Sequence, residues 1–123
     1  MIILDTSAII ELFSGRGKYK EIQQQIQLHS AAISALTINE LLVDAHPNKK
    51  EILMQFIRSV HILSIDDKVA YKGVEIEEYL INHGIMTGRV DILIAATCLV
   101  HDVELLTLDK DFERINGLQI IKL

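Results

Sequence analysis

Four carboxylates, Asp5, Glu40, Asp91 and Asp109, fall where apolar strands end or helices begin. Asp5 follows Ile2-Ile3-Leu4 and is backed by the hydroxyls of Thr6 and Ser7. Glu40 lies early in the helix after a second strand, Asp91 leads into Ile92-Leu93-Ile94-Ala95-Ala96, and Asp109 directly follows Leu105-Leu106-Thr107-Leu108. In an open α/β sheet the chemistry gathers beyond the carboxyl ends of the strands, so all four can converge on one rim. Two carboxylates about 4 Å apart repel by roughly 4 kcal/mol at an effective dielectric near 20. A cluster of four must therefore be protonated, held apart or bridged by a cation. Oxygen-only ligands, with no histidine or cysteine cluster, favour Mg²⁺ or Mn²⁺ over zinc. Such an ion keeps free positions for phosphate oxygens, which points to phosphoryl chemistry.

Each acid also has a purely structural explanation. Asp5, Thr6 or Ser7 can cap the helix that follows. Glu40 completes a Thr37-Ile38-Asn39-Glu40 capping box if its helix begins at Thr37, and is a helix-interior acid if the helix begins at Ser34. Asp91 is a first-turn acid that a helix dipole favours by roughly 0.3–1 kcal/mol. Asp109-Lys110-Asp111 is good turn chemistry. These explanations hold singly and fit poorly together, because none accounts for four acids reaching the same rim.

The elements that carry the acids follow from apolar spacing. Strands are expected at Ile2–Leu4, Ala31–Ile33, Val60–Leu63, Leu105–Leu108 and Leu118–Ile121. Helices are expected over 6–13, 18–28, 34–45, 49–59, 66–82 and 90–100, with a turn or short helix over 109–115. Ile9, Ile10, Leu12 and Phe13 form one inward face, Ile22, Ile26 and Leu28 the next, and Ile52, Leu53, Phe56 and Ile57 another. In the long helix Val69, Ala70, Gly73, Ile76, Tyr79 and Leu80 point inward. His46-Pro47 and His83-Gly84 read as helix stops. Alternating strands and helices imply parallel βα units with right-handed crossovers.

The 123 residues suit a single domain, 1–123, with a real core. Half of them are hydrophobic and mean hydropathy is +0.29, yet no apolar run approaches the roughly 18 residues of a membrane span. No signal peptide is legible, and the hydrophobicity belongs to a sheet covered on both faces. One cysteine, Cys98, excludes an internal disulfide framework and fits a reducing cytoplasm. A net charge of −5 counts against a non-specific DNA binder, less so against an enzyme whose acidic site recruits cations before it meets a phosphate chain.

Taken in order, Asp5-Thr6-Ser7, Ser34-Ala35-Leu36-Thr37-Ile38-Asn39-Glu40-Leu41, Asp91 before Ile94-Ala95-Ala96, and Thr107-Leu108-Asp109-Lys110-Asp111-Phe112 span nearly the whole chain. Together they resemble a PIN domain, most closely the short VapC-like toxin ribonucleases. The resemblance implies a three-layer α/β/α sandwich with a five-stranded parallel sheet of order 3-2-1-4-5. It also implies a metal-dependent endoribonuclease, a homodimer and a small VapB-like antitoxin as partner. By position Asp5, Glu40 and Asp91 match the core acids, Asp5 and Asp91 as direct ligands of one or two Mg²⁺ or Mn²⁺ ions. Thr6 matches a supporting hydroxyl, and Asp109 the fourth acid, a role that Asp111 could share or take.

The chemistry would be hydrolysis of an RNA phosphodiester by metal-activated water, with no side-chain nucleophile. Ser7, read as a helix-cap residue, and Cys98 have no His-Asp arrangement. The histidines at 29, 46, 61, 83 and 101 lack zinc spacing. Arg16-Gly17-Lys18-Tyr19-Lys20 could clamp phosphates and stack a base, or simply be a solvated helix start. Arg89 could neutralise a phosphate or pair with an acid, and Glu75-Ile76-Glu77-Glu78 reads as an exposed helix face. Two other functions compete. One is a phosphohydrolase with Asp5 as nucleophile, although Ser7 occupies the place where a second aspartate is wanted. The other is a non-catalytic PIN-like dimerisation or partner-binding module.

Overall fold

The computed structural model describes residues 1–123, and its centre is β1 (Ile2–Leu4), whose three side chains are all but inaccessible. β2 (Ala31–Ser34) pairs with it on one side in register Ile2↔Ala31, and β4 (Glu104–Leu106) on the other with Ile3↔Leu105. β3 (His61–Leu63) adds outside β2 with Ile33↔Ile62. Every pairing is parallel and the order is β3-β2-β1-β4.

The expected fifth strand is reduced to a single bridge, Leu105↔Ile120, on the outer side of β4. Two hydrogen bonds make it, from Leu105 N–H to Gln119 O (2.8 Å) and from Ile121 N–H to Leu105 O (2.9 Å). A 3₁₀ helix at Lys110–Arg114 and a glycine turn, Gly117 at φ +81°, use up the residues before Leu118. Only the few residues around Ile120 reach the ladder, so the sheet has four strands with the fifth place held by this bridge.

Alternate side chains of the sheet enter different cores, as strand geometry requires. Ile3, Ala32 and Leu105 pack with Val69, Ile76, Leu80, Ile92 and Ala95, whereas Ile2, Leu4, Ile33 and Leu106 pack with Ala8, Ile9, Ile22, Leu41 and Ile57. Both faces are thus covered, which explains the unbroken apolar strands and the high hydropathy. The first face is covered by α5 (Asp67–Asn82) and α6 (Arg89–His101). These two helices form the most extensive element contact of the fold, and Gly73 permits it: a Cβ there would stand 3.0 Å from Leu93 Cδ2. The second face is covered by α1 (Thr6–Ser14), α2 (Tyr19–Leu28), α3 (Ala35–Val43) and α4 (Pro47–Ser59).

Helix ends carry identifiable signals. Ser34 Oγ accepts the Leu36 N–H (3.1 Å), so α3 begins at Ala35 and Glu40 is a helix-interior acid, not half of a capping box. His46-Pro47 closes no helix alone. The His46 ring accepts the Asn48 N–H (3.3 Å) and Pro47 opens α4, the position where proline costs no hydrogen bond. Asp66 caps α5 through the Val69 N–H (3.0 Å). Several residues expected to point inward face solvent instead: Ile10, Leu28, Ile52, Ala70 and Tyr79 are exposed. Tyr79 stacks on His83 at 4.0 Å on the surface. No helix is long and apolar enough to cross a membrane.

Candidate active site

Asp5 closes β1 and caps α1, its Oδ1 accepting the Ala8 N–H at 3.0 Å. Its side chain is enclosed, at 5% exposure, and both oxygens are engaged. Ser7 Oγ donates to Oδ1 (2.7 Å) and Thr107 Oγ1 donates to Oδ2 (2.5 Å). Burial raises the Asp5 pKa, the three hydrogen bonds pull it back down, and the nearby Asp109 charge pushes it further up. Oδ1 accepts two hydrogen bonds and Oδ2 one, and a carboxylate this buried and held is poorly placed to attack a phosphorus atom, which counts against the phosphohydrolase reading.

Glu40 projects from α3, one strand away, and is tied to the same rim by Thr6 Oγ1, which donates to its Oε1 at 2.9 Å. Asp91 lies in the first turn of α6, half-buried. A helix dipole alone would hold such an acid ionised. Its pKa is instead raised from 3.8 to about 6, by burial first and then by the charges of Asp109, Glu40, Asp5 and Asp111. The acids singled out in the sequence therefore share one electrostatic environment, although they come from four elements.

The structure also separates Asp109 from Asp111. Asp109 is half-buried, caps the 3₁₀ helix by accepting the Asp111 N–H (2.9 Å), and acts on both Asp5 and Asp91. Asp111 is exposed and paired with Arg114 at 2.8 Å, and it is the weakest of the charges acting on Asp91. Both the turn role and the electrostatic role of Asp109 are thus realised.

Two residues at the rim have roles the sequence did not suggest. Thr107 is buried and links Asp5 to the backbone of Asp109, whose N–H donates to Thr107 Oγ1 at 3.0 Å. Its only signal was a hydroxyl at the end of an apolar strand, two residues before an acid. Ser7 is not the cap residue, since Asp5 fills that place; it bridges Asp5 and the Leu108 N–H (3.0 Å) instead.

Other sequence candidates lie elsewhere. Arg89 pairs with Glu77 (3.1 Å), and Glu75 pairs with Lys72 (2.9 Å), so the acidic run is largely a surface ion-pair face around the buried Ile76. Lys18 N–H donates to Glu11 (2.9 Å) and Lys20 sits over the Tyr19 ring at 5.9 Å, within the start of α2. All five histidines are exposed. The buried Cys98 thiol is pushed up to about 12, by burial first and then by Asp5, and stays an unreactive core thiol.

The donor set suits a hard divalent cation: it is all oxygen, and mutual repulsion raises Asp91 in a way that a cation would reverse. No three acidic, histidine or cysteine side chains stand close enough together to grip an ion as they lie. The fit is one of charge and ligand chemistry.

A family model described as PIN domain matches residues 2–118. The chain is similar to Ribonuclease VapC1 of Rickettsia felis, 36% identical across 98% of this chain and 94% of the relative. It is also similar to Ribonuclease VapC of Rickettsia bellii, 31% identical over the same shares. Among solved structures, the VapBC2 complex of Rickettsia felis bound to a DNA fragment from their promoter contains a chain of the same fold. It superposes with a TM-score of 0.86 at 21% identity, covering 100% of this chain and 99% of that one.

Proposed function

The chain belongs to the PIN domain family, and from that premise we propose that it is the toxin endoribonuclease of a VapBC-type pair, an RNA-cleaving hydrolase. The observation that carries the reading is Asp91, whose pKa is raised to about 6 by burial first and then by the charges of acids arriving from separate elements. A rim that concentrates negative charge at a strand's carboxyl end, in a fold whose named relatives are ribonucleases, is best explained by cation-assisted phosphodiester hydrolysis.

Asp5 and Asp91 would hold one or two Mg²⁺ or Mn²⁺ ions, with Glu40 and Asp109 completing the set. A bound ion would supply Lewis acidity and a water of lowered pKa. Within the chain, Thr6 orients Glu40, leaving the second Glu40 oxygen free to accept a proton from an attacking water. Ser7 and Thr107 fix both Asp5 oxygens.

The antitoxin and the homodimer belong to the same proposal, the former supported by a fold neighbour solved in a toxin–antitoxin complex. A cytoplasmic location is consistent with one buried, unpaired cysteine. The test is cleavage of RNA by purified protein in Mg²⁺ or Mn²⁺. Asp5→Asn and Asp91→Asn should each abolish it, and unchanged cleavage by both would overturn the site. A protein that neither cleaves nor binds Mn²⁺ would favour the binding-module alternative.

A further inference from the structure

Two short relays run from backbone to carboxylate at the rim. Leu108 N–H donates to Ser7 Oγ (3.0 Å), and Ser7 donates to Asp5 Oδ1 (2.7 Å). Asp109 N–H donates to Thr107 Oγ1 (3.0 Å), and Thr107 donates to Asp5 Oδ2 (2.5 Å). Consecutive amides thus reach the two oxygens of one carboxylate through two hydroxyls. Each hydroxyl has a single proton, and both protons go to Asp5. The 3.3 Å contact between Ser7 Oγ and Thr107 Oγ1 therefore holds no proton of its own.

The connection is long in sequence, Ser7 to Leu108 spanning 101 residues and Asp5 to Thr107 spanning 102. It joins the β1–α1 junction to the turn that carries Asp109. Sheet pairing reaches only as far as the Asp5 N–H to Leu106 O bond (3.3 Å), because β4 ends at Leu106. Thr107 and Leu108 lie between the last ladder residue and the 3₁₀ helix, with the relays as their side-chain tether.

We propose that Ser7 and Thr107 are positioning residues that set Asp109 against Asp5, so that the fourth acid is placed by the first. The proposal rests on the ribonuclease reading only for its consequence in catalysis; the relays themselves are a property of the folded chain. Ser7 is the more informative half, because a helix-start serine has no other reason to reach across to the turn after β4.

The test follows the Leu108 and Asp109 backbone amides by ¹H–¹⁵N NMR in metal-free protein, alongside Mn²⁺ affinity by calorimetry and RNA cleavage kinetics. Asp5→Asn should shift both amide resonances although neither touches Asp5. In Ser7→Ala the Leu108 response to Asp5→Asn should vanish and the Asp109 response persist, and Thr107→Val should do the converse. Ser7→Ala should weaken Mn²⁺ binding and lower kcat by about 10-fold or more with KM for RNA unchanged, the usual scale for groups behind a metal ligand. Ser7→Thr should restore both. Amide responses that ignore Ser7 and Thr107 would overturn the proposal, as would Ser7→Ala with wild-type Mn²⁺ affinity and kcat. If the wild type neither binds Mn²⁺ nor cleaves RNA, the ribonuclease reading falls and the amide responses alone decide whether the relays exist.

Discussion

Thr6 and Glu40 are joined by a 2.9 Å hydrogen bond from the Thr6 hydroxyl to Glu40 Oε1, across 34 residues of sequence. The bond ties the first turn of α1 to the middle of α3 on the site's side of the sheet. The Thr6 hydroxyl is free to make this bond because Asp5 already caps α1. Replacing Thr6 by Val keeps the shape and removes the donor. Thr6→Val is expected to fold normally and to lower cleavage about 10-fold, the scale seen when a ligand loses its supporting hydrogen bond. Steady-state kinetics at saturating Mn²⁺ check this; wild-type kcat would show that Glu40 needs no orienting partner.

Asp91 makes stability depend on pH in a definite sense. Its folded pKa of about 6 lies above the ordinary 3.8. Between those values the folded chain keeps a proton that the unfolded chain has lost. The associated stability is therefore full below about pH 4 and is lost as pH rises through about 6. In chelator at pH 7.5, Asp91→Asn should melt a few degrees above the wild type while cleaving RNA at least about 100-fold more slowly. Mn²⁺ should raise the wild-type Tm and leave that of the variant nearly unchanged. Thermal melts across pH, with and without Mn²⁺, measure both; a variant that melts lower at pH 7.5 would mean that Asp91 is not held against repulsion.

Much of the fold was legible because the strands are short, apolar and well separated. Ile2-Ile3-Leu4 and Leu105-Leu106 could be little else, and Ser34, Asp66 and Gly15 mark helix boundaries by their chemistry. The positions of Asp5 and Asp109 just beyond β1 and β4 were legible too, since strand ends are fixed once the strands are. Thr107 and Ser7 were not, because a hydroxyl announces no partner until the chain folds and brings residues about 100 apart into contact. The weak fifth strand was hidden for a related reason. Leu118-Gln119-Ile120-Ile121 has strand composition, and only the path of the preceding turn decides how much of it reaches β4.

Asp109 and Asp111, two residues apart, should separate cleanly by substitution. Asp109→Asn is expected to cut cleavage about 10-fold or more, because Asp109 acts on both Asp5 and Asp91. Asp111→Asn removes an exposed pair with Arg114, a kind of contact worth about 0–1 kcal/mol, and should change cleavage less than about threefold. Parallel assays of the two variants at equal Mn²⁺ decide the matter, and the reverse ranking would move the fourth-acid role to Asp111.

Phe112 supports the same turn from below. It is the largest fully buried side chain, packed in the core beneath α5 and α6, and its N–H donates to Asp109 O at 3.4 Å. The 3₁₀ helix is too short to hold itself, so the ring anchors it. Phe112→Ala should cost about 3–5 kcal/mol in urea unfolding, through lost burial and the cavity left behind. Phe112→Leu, which keeps most of the volume, should cost less and keep the turn in place. Cleavage per folded molecule should therefore fall in Phe112→Ala and stay near wild type in Phe112→Leu, with the folded fraction of each measured by circular dichroism at the assay temperature. Equal cleavage per folded molecule in the alanine variant would show that the hydroxyl relays to Asp5 hold Asp109 without the aromatic anchor.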